Sequence, residues 1–146
     1  MKVLISRISK GSVSVDGKIV ASIDKGLAVF VGVHKDDSDK SLLSAVQKVV
    51  NMRLFENDEG KLHYSVKDKG YEILCISNFT LCAQTDRGRR PSFDDAARPA
   101  EAEKIFNDFV KLLKKYDVEV KTGCFGEHMD IALTMDGPVN IILNPK

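Results

Sequence analysis

Apolar and polar positions change their spacing several times along the chain, and each change predicts an element. Lys2 to Ile8, Ser12 to Val15 and Lys18 to Ile23 read as short strands. Asp16-Gly17 joins the last two. That dipeptide tolerates the positive φ of a tight hairpin turn. Leu27 to Val33 is almost continuously apolar, with Gly26 and Gly32 near its ends. Such a run predicts a strand covered on both faces.

The period then becomes helical. Ser38 suits an N-cap for a helix reaching about Met52, with Leu42, Leu43, Val46, Val49 and Val50 as its apolar face. Arg53 to Phe55 returns to extended structure, and Asn57-Asp58-Glu59-Gly60 predicts a turn. Tyr71 to Ser77 is a second buried strand, centred on Ile73-Leu74-Cys75-Ile76. Pro99 opens a second helix, where its missing amide hydrogen costs nothing. Ala102, Ile105, Phe106, Phe109, Leu112, Leu113 and Tyr116 form its apolar stripe. Closing strands are expected at Glu119–Thr122, Met129–Met135 and Val139–Leu143. The sum is one α+β domain over residues 1–146, mostly antiparallel, with two main helices on a curled sheet or partial barrel. The pattern leaves strand order open.

Composition narrows the partners. The chain has 146 residues, 43% hydrophobic and 29% charged, as an ordinary globule does. Lys and Arg number 22 against 21 Asp and Glu, a net charge of +1. A protein coating long stretches of nucleic acid draws its affinity from a strongly basic surface, so DNA is not an expected partner. A small footprint on an RNA end remains compatible. Cys75, Cys82 and Cys124 form no Cys-x-x-Cys pair and suit a reducing compartment. No apolar run approaches the ~20 residues of a membrane helix. Arg7 interrupts the N-terminal apolar stretch too early for a signal peptide. A cytoplasmic location is the resulting expectation.

The chemistry gathers where the second buried strand ends. Ser77-Asn78-Phe79-Thr80-Leu81 replaces the apolar run with hydroxyls and an amide, and Arg87-Gly88-Arg89-Arg90-Pro91-Ser92-Phe93 follows. Polar groups at a strand end beside a basic loop suit a polar, anionic substrate. The segment resembles Ser-Gln-Phe-Thr-Leu and Arg-Gly-x-x-Pro-Ser-Phe of the D-aminoacyl-tRNA deacylases. Asp136-Gly137-Pro138-Val139 resembles that family's Asn-Asp-Gly-Pro-Val-Thr, with Met135 and Asn140 at the two departing positions. The resemblance extends from Arg7 to the closing strands.

The resemblance implies hydrolysis of an aminoacyl ester at the terminal adenosine of tRNA. Such a site needs an aimed water or hydroxyl, donors for the developing oxyanion, and a hold on the nucleoside. The amides of Phe79 and Thr80 are the candidate oxyanion donors, with the Ser77 and Thr80 hydroxyls in the same turn of chain. Three roles stay open to Thr80: nucleophile, orienting hydroxyl or spectator. A threonine nucleophile ordinarily needs a neighbouring base. No His, Asp, Glu or Lys lies between Ile73 and Thr85. The favoured scheme therefore uses the substrate's own 2′-hydroxyl to help activate water, and needs no metal or organic cofactor. Asn78 stands where the family has Gln, so the amide is kept on a shorter arm.

For Gly137-Pro138 the resemblance implies a cis peptide that reaches into the partner subunit of a homodimer. There its main-chain oxygens would crowd the side on which an L-residue projects, while glycine escapes rejection. Arg7 matches the family's Gln-Arg-Val and has donors to brace this turn. Thr122-Gly123-Cys124-Phe125-Gly126 resembles Thr-Gly-Arg/Lys-Phe-Gly/Ala, making Phe125 and Met129 candidate pocket residues. Arg87, Arg89 and Arg90 are candidates for acceptor-end phosphates. The expected substrates are D-aminoacyl-tRNA and glycyl-tRNA mischarged on tRNA-Ala. Alternatives are a deacylase of relaxed chirality, a non-catalytic RNA-end binder, a cysteine hydrolase with Cys82 and His128 as its dyad, or a metal hydrolase. The last lacks a metal-ligand spacing.

Overall fold

In a computed structural model, described for residues 1–86 and 88–145, the chain winds a strongly bent sheet around a small interior, with helices on its outer face. The first strand, β1 (Lys2–Val15), is twice the length that the sequence suggests, because the two expected pieces run on without a break. β2 (Lys18–Ile23) returns along it through Asp16 and Gly17, whose φ angles are 50° and 75°. That is the hairpin geometry expected of Asp-Gly. β3 (Gly26–Gly32) pairs with the first half of β1, and β2 with the second half. Sharing one long strand between two partners makes the sheet curl.

Helix α1 (Asp39–Asn51) starts from Ser38, whose hydroxyl accepts from the Ser41 amide at 3.3 Å while Ser41 Oγ accepts from the Ser38 amide at 3.1 Å. Its buried face is Leu42, Ala45, Val46, Val49 and Val50, together with Ser41. Leu43 belongs outside that face and is 47% exposed, correcting the sequence reading by one position. A two-strand ribbon follows, β4 (Phe55–Glu56) and β5 (Leu62–Tyr64), closed by the expected turn around Asn57. The short α2 (Val66–Lys69), capped by Ser65, has no apolar period to announce it.

β6 (Glu72–Ser77) lies parallel to β3, and β7 (Val120–Thr122) lies parallel to β6. Between them runs α3 (Pro99–Lys114), which buries Phe106, Phe109, Val110 and Leu113. Leu27, Val29, Val31, Ile73 and Cys75 face α1 and α3, whereas Ala28, Leu74 and Ile76 face the interior with Ile8, Val13 and Ile23. Two cores on opposite faces explain why the middles of these strands, Leu27–Val31 and Ile73–Ile76, are continuously apolar.

β8 (Asp130–Leu143) replaces the two expected closing strands and pairs with β1 over nearly its whole length. Its register shifts twice, between Ser6 and Ile8 and again between Ile8 and Lys10, and the first shift is the large one. Asn140 faces Ser6 and Met135 faces Ile8, so Asp136–Val139 bulge out opposite Arg7 alone. The Gly-Pro segment is therefore a protrusion within one strand and not a turn between neighbours.

Candidate functional site

Three parallel strands, β3, β6 and β7, end on the same side of the sheet. The chain leaving each carboxyl end lines one cavity of about 730 Å³. Val33 comes from after β3, Ser77 to Thr80 from the end of β6 and the chain beyond it, and Phe125 to Met129 from after β7. Open sheets commonly receive ligands outside the carboxyl ends of parallel strands. Ser77, Asn78, Phe79, Thr80, Phe125 and Met129 are thus brought together from well-separated stretches of sequence.

The polar wall is a single 3-10 turn, Phe79–Cys82. Gly32 lets this turn sit close to β3. A Cβ there would stand 3.0 Å from the Asn78 carbonyl oxygen, from Leu81 Cβ and from Cys82 Sγ. The Asn78 amide donates to Val31 O at 2.8 Å, tying the turn to the strand. Asn78 Oδ1 accepts from the Thr80 amide at 3.1 Å and also from the Thr80 hydroxyl. The Asn78 side chain is therefore the cap of the turn, and the Thr80 amide is engaged by it. The Phe79 amide has no acceptor among the described residues and is the ready donor of the two.

The apolar wall includes Phe30, Val31, Ile76, Ala102 and Phe106. Phe79 is 58% exposed at its edge and meets Phe93 edge-on, with ring centroids 5.0 Å apart. Gln84 and Ser92 exchange backbone hydrogen bonds of 2.8 and 3.0 Å, which hold Ser92 and the Phe93 that follows it beside the chain leaving the turn. In the sequence Phe93 stands out only as part of a motif. Arg98, Glu127 and His128 also line the cavity, and the sequence pattern does not point to them as ligand contacts. No period marks them, since each lies in irregular chain or at a helix cap.

Arg89 and Arg90 lie on the exposed loop beyond the Gln84–Ser92 bridge and do not line the cavity. Arg87 lies outside the described residues. Cys82 is buried under the turn, its thiol donating to Val33 O at 3.5 Å. Burial pushes the thiols of Cys82 and Cys75 above their ordinary range, which disfavours the thiolate a cysteine hydrolase needs. All three cysteines are free. Among the described residues no group of three or more His, Cys, Asp or Glu is placed to hold a metal. Among the same residues no helix is long and apolar enough to cross a membrane.

Arg7, Gly137 and Pro138 are not at this cavity in the same chain. Arg7 and Gly137 line a second one, of about 380 Å³. The Arg7 side chain is buried and each of its nitrogens is engaged: Nε donates to Asp136 O at 3.1 Å, Nη1 to Leu54 O at 2.8 Å and Nη2 to Glu56 Oε1 at 3.2 Å. It braces the carbonyl just before Gly137. The Gly137-Pro138 bond is cis, and Gly137 has a φ of 137°. Gly137 and Pro138 are exposed at the tip of the protrusion that Arg7 holds at its base. Asn140, the departure after the Gly-Pro pair, accepts a 2.7 Å bond from the Ser6 hydroxyl and holds the loop's far end to β1.

Comparison with known proteins matches residues 4–144 to the family described as D-Tyr-tRNA(Tyr) deacylase. A D-aminoacyl-tRNA deacylase of Carboxydothermus hydrogenoformans is 43% identical over 143 residues, covering 98% of this chain and 99% of that one. One from Aquifex aeolicus is 44% identical over 146 residues, covering 100% and 99%. A solved structure named c-Myc DNA Unwinding Element Binding Protein superposes with a TM-score of 0.94 at 38% identity, covering 100% and 99%. A probable eukaryotic D-amino acid tRNA deacylase shares the fold at a TM-score of 0.83 and 16% identity, covering 97% of each chain.

Proposed function

This chain belongs to the D-Tyr-tRNA(Tyr) deacylase family, and from that premise we propose that it hydrolyses the ester of D-aminoacyl-tRNA while sparing the L-form. Glycyl-tRNA mischarged on tRNA-Ala is a second substrate in this reading. The observation that carries it is the Ser77–Thr80 turn set in the wall of a largely apolar cavity wide enough for a nucleoside and its ester.

In the proposed reaction, water attacks the ester carbonyl carbon. The carbon–oxygen bond to the ribose breaks, and the departing 3′-oxygen takes up a proton. The Phe79 amide receives the negative charge that develops on the carbonyl oxygen. The Thr80 amide can join it only when Asn78 Oδ1 lets go, so Asn78 controls the second donor. No carboxylate or imidazole is a hydrogen-bond partner of the Thr80 hydroxyl among the described residues. That favours the substrate's 2′-hydroxyl as the group that helps activate water, with Ser77 and Thr80 in positioning roles.

Chiral selection is assigned to Gly137 and Pro138 of a second copy. The exposure of the protrusion, its separation from the same chain's cavity and its bracing by Arg7 all support that assignment. β8 supports the pairing of copies as well. It is an edge strand of fourteen residues with Ile131, Met135 and Ile142 exposed, and long apolar edges are ordinarily covered. A cytoplasmic homodimer acting on the acceptor end of tRNA is the assembly proposed.

The test is hydrolysis of matched D- and L-aminoacyl-tRNA pairs. Rapid release of the D-residue with the L-ester intact is expected, and equal release of both would overturn the reading. A substrate ending in 2′-deoxyadenosine should be cleaved at least about a hundredfold more slowly. A second reading, binding to DNA without ester cleavage, takes its ground from the name of the structural relative at 38% identity. The near-zero net charge favours the ester substrate. Tight, salt-resistant binding to duplex DNA, with no ester cleaved, would reverse that choice.

A further inference from the structure

The second cavity differs in character from the first. Three cations line it, Arg7, Lys25 and Lys69, against two carboxylates, Glu56 and Asp136. The carboxylates both lie on Arg7, at 3.2 and 3.3 Å. Arg7 in turn is buried and each of its nitrogens already donates within the chain, which leaves Lys25 and Lys69 as the exposed cations. Lys25 and Lys69 are exposed and make no ion pair among the described residues. The Lys69 ammonium sits instead over two aromatic rings, 5.1 Å from the centre of Tyr64 and 5.7 Å from that of Tyr71. An ammonium resting on ring faces keeps much of its charge available to an anion. The cavity wall as a whole carries one positive charge more than it cancels.

We propose that this cavity is a phosphodiester subsite, in which Lys25 and Lys69 contact backbone phosphates of the substrate's single-stranded end. The inference rests on the pairing of copies put forward above. If Gly137 and Pro138 of one copy enter the other's ester cavity, the lysines beside them arrive at its rim. That is where the nucleotides preceding the terminal adenosine must leave. Ammonium groups suit this task, since a phosphate in a flexible strand is met as a point charge from variable directions. The subunit that inspects configuration would then also hold the strand, so that a single docking event aligns both.

The test compares D-aminoacyl-tRNA with D-aminoacyl-adenosine, which has the ester but no phosphate. In the double variant K25Q/K69Q, the ratio of KM for the tRNA to KM for the nucleoside ester should rise about tenfold. The slope of log binding constant for deacylated tRNA against log salt should flatten by about 1.4, as expected when two phosphates of a single strand are no longer neutralised. K25R/K69R, which keeps both charges, should restore the original slope. Lys67→Gln, on the same short helix but outside the cavity, serves as the control. An unchanged KM ratio and an unchanged salt slope would overturn the subsite. Loss of the deacylase reading itself would look different: the wild-type protein would then cleave neither ester. In that case the slope for deacylated tRNA alone decides, and an unaltered slope in K25Q/K69Q rejects the subsite.

Discussion

Arg7 Nε donates to the carbonyl oxygen of Asp136 at 3.1 Å, joining the first strand to the protrusion that carries Gly137 and Pro138 across 129 positions of sequence. The same guanidinium reaches Leu54 and Glu56, so three segments are oriented by one planar group. A lysine ammonium is a compact point of charge and lacks the planar spread needed to reach all of these acceptors together. Arg7→Lys should lower unfolding free energy by about 1–3 kcal/mol, the usual cost of leaving a buried acceptor unpaired. In matched-substrate assays its ratio of D- to L-turnover should fall more than its turnover of the D-ester.

A methyl group on Gly137 would stand 2.8 Å from the Val139 amide nitrogen and 2.9 Å from Val139 Cγ2, at a φ that L-residues rarely adopt. Gly137→Ala should therefore cost about 1–3 kcal/mol and displace the neighbouring carbonyl. Hydrolysis of D-aminoacyl-tRNA should drop at least about tenfold, while far-ultraviolet circular dichroism stays native. Wild-type activity in this variant would show that the carbonyl's position does not matter.

Thr80 tests the chemistry directly. Thr80→Val removes the hydroxyl and keeps the main chain. If water is the nucleophile, kcat should stay within about tenfold of wild type, because the oxyanion donors survive. A fall of about four orders of magnitude, or a trapped acyl-enzyme in the wild type, would make Thr80 the nucleophile instead.

Phe79 is more than half exposed yet meets Phe93 edge-on at the mouth of the cavity. An aromatic ring in that position suits a nucleobase, and such stacking contributes about 1–3 kcal/mol per base. Phe79→Ala should raise KM by about ten- to a hundredfold and leave the unfolding midpoint nearly unchanged. A purely structural Phe79 would give the opposite pair of results.

Burial, followed by the nearby ammonium of Met1, holds the His34 imidazole below its ordinary value of 6.5. The folded protein then binds fewer protons at this site than the unfolded chain does. Stability from this group is complete above pH 6.5 and is lost as pH falls through the lowered folded value. Urea midpoints should decline between about pH 7 and pH 5 more steeply for the wild type than for His34→Gln. The difference should be small, because the ring is only part-buried.

Much was legible from residues alone. Asp16-Gly17, Ser38 and Pro99 mark their turn and helix starts by local chemistry, and the apolar faces of α1 and α3 follow from spacing except that Leu43 is exposed and the buried Ala45 and Val110 are missed. The apolar runs of β3 and β6 announce burial on both faces, and the order of motifs led to the family. Local rules suffice there, since hydrogen bonds, φ preferences and side-chain period act over a few residues. The tertiary structure alone decided that β3, β6 and β7 run parallel, so that their ends converge on one cavity and draw in Phe93, Arg98 and His128. It alone decided that Arg7 and Gly137 lie at a different cavity from Thr80, because β8 lies along β1 and bulges out opposite Arg7. Those are consequences of pairing between distant strands, and pairing depends on which apolar faces bury each other, a choice no short window of sequence contains.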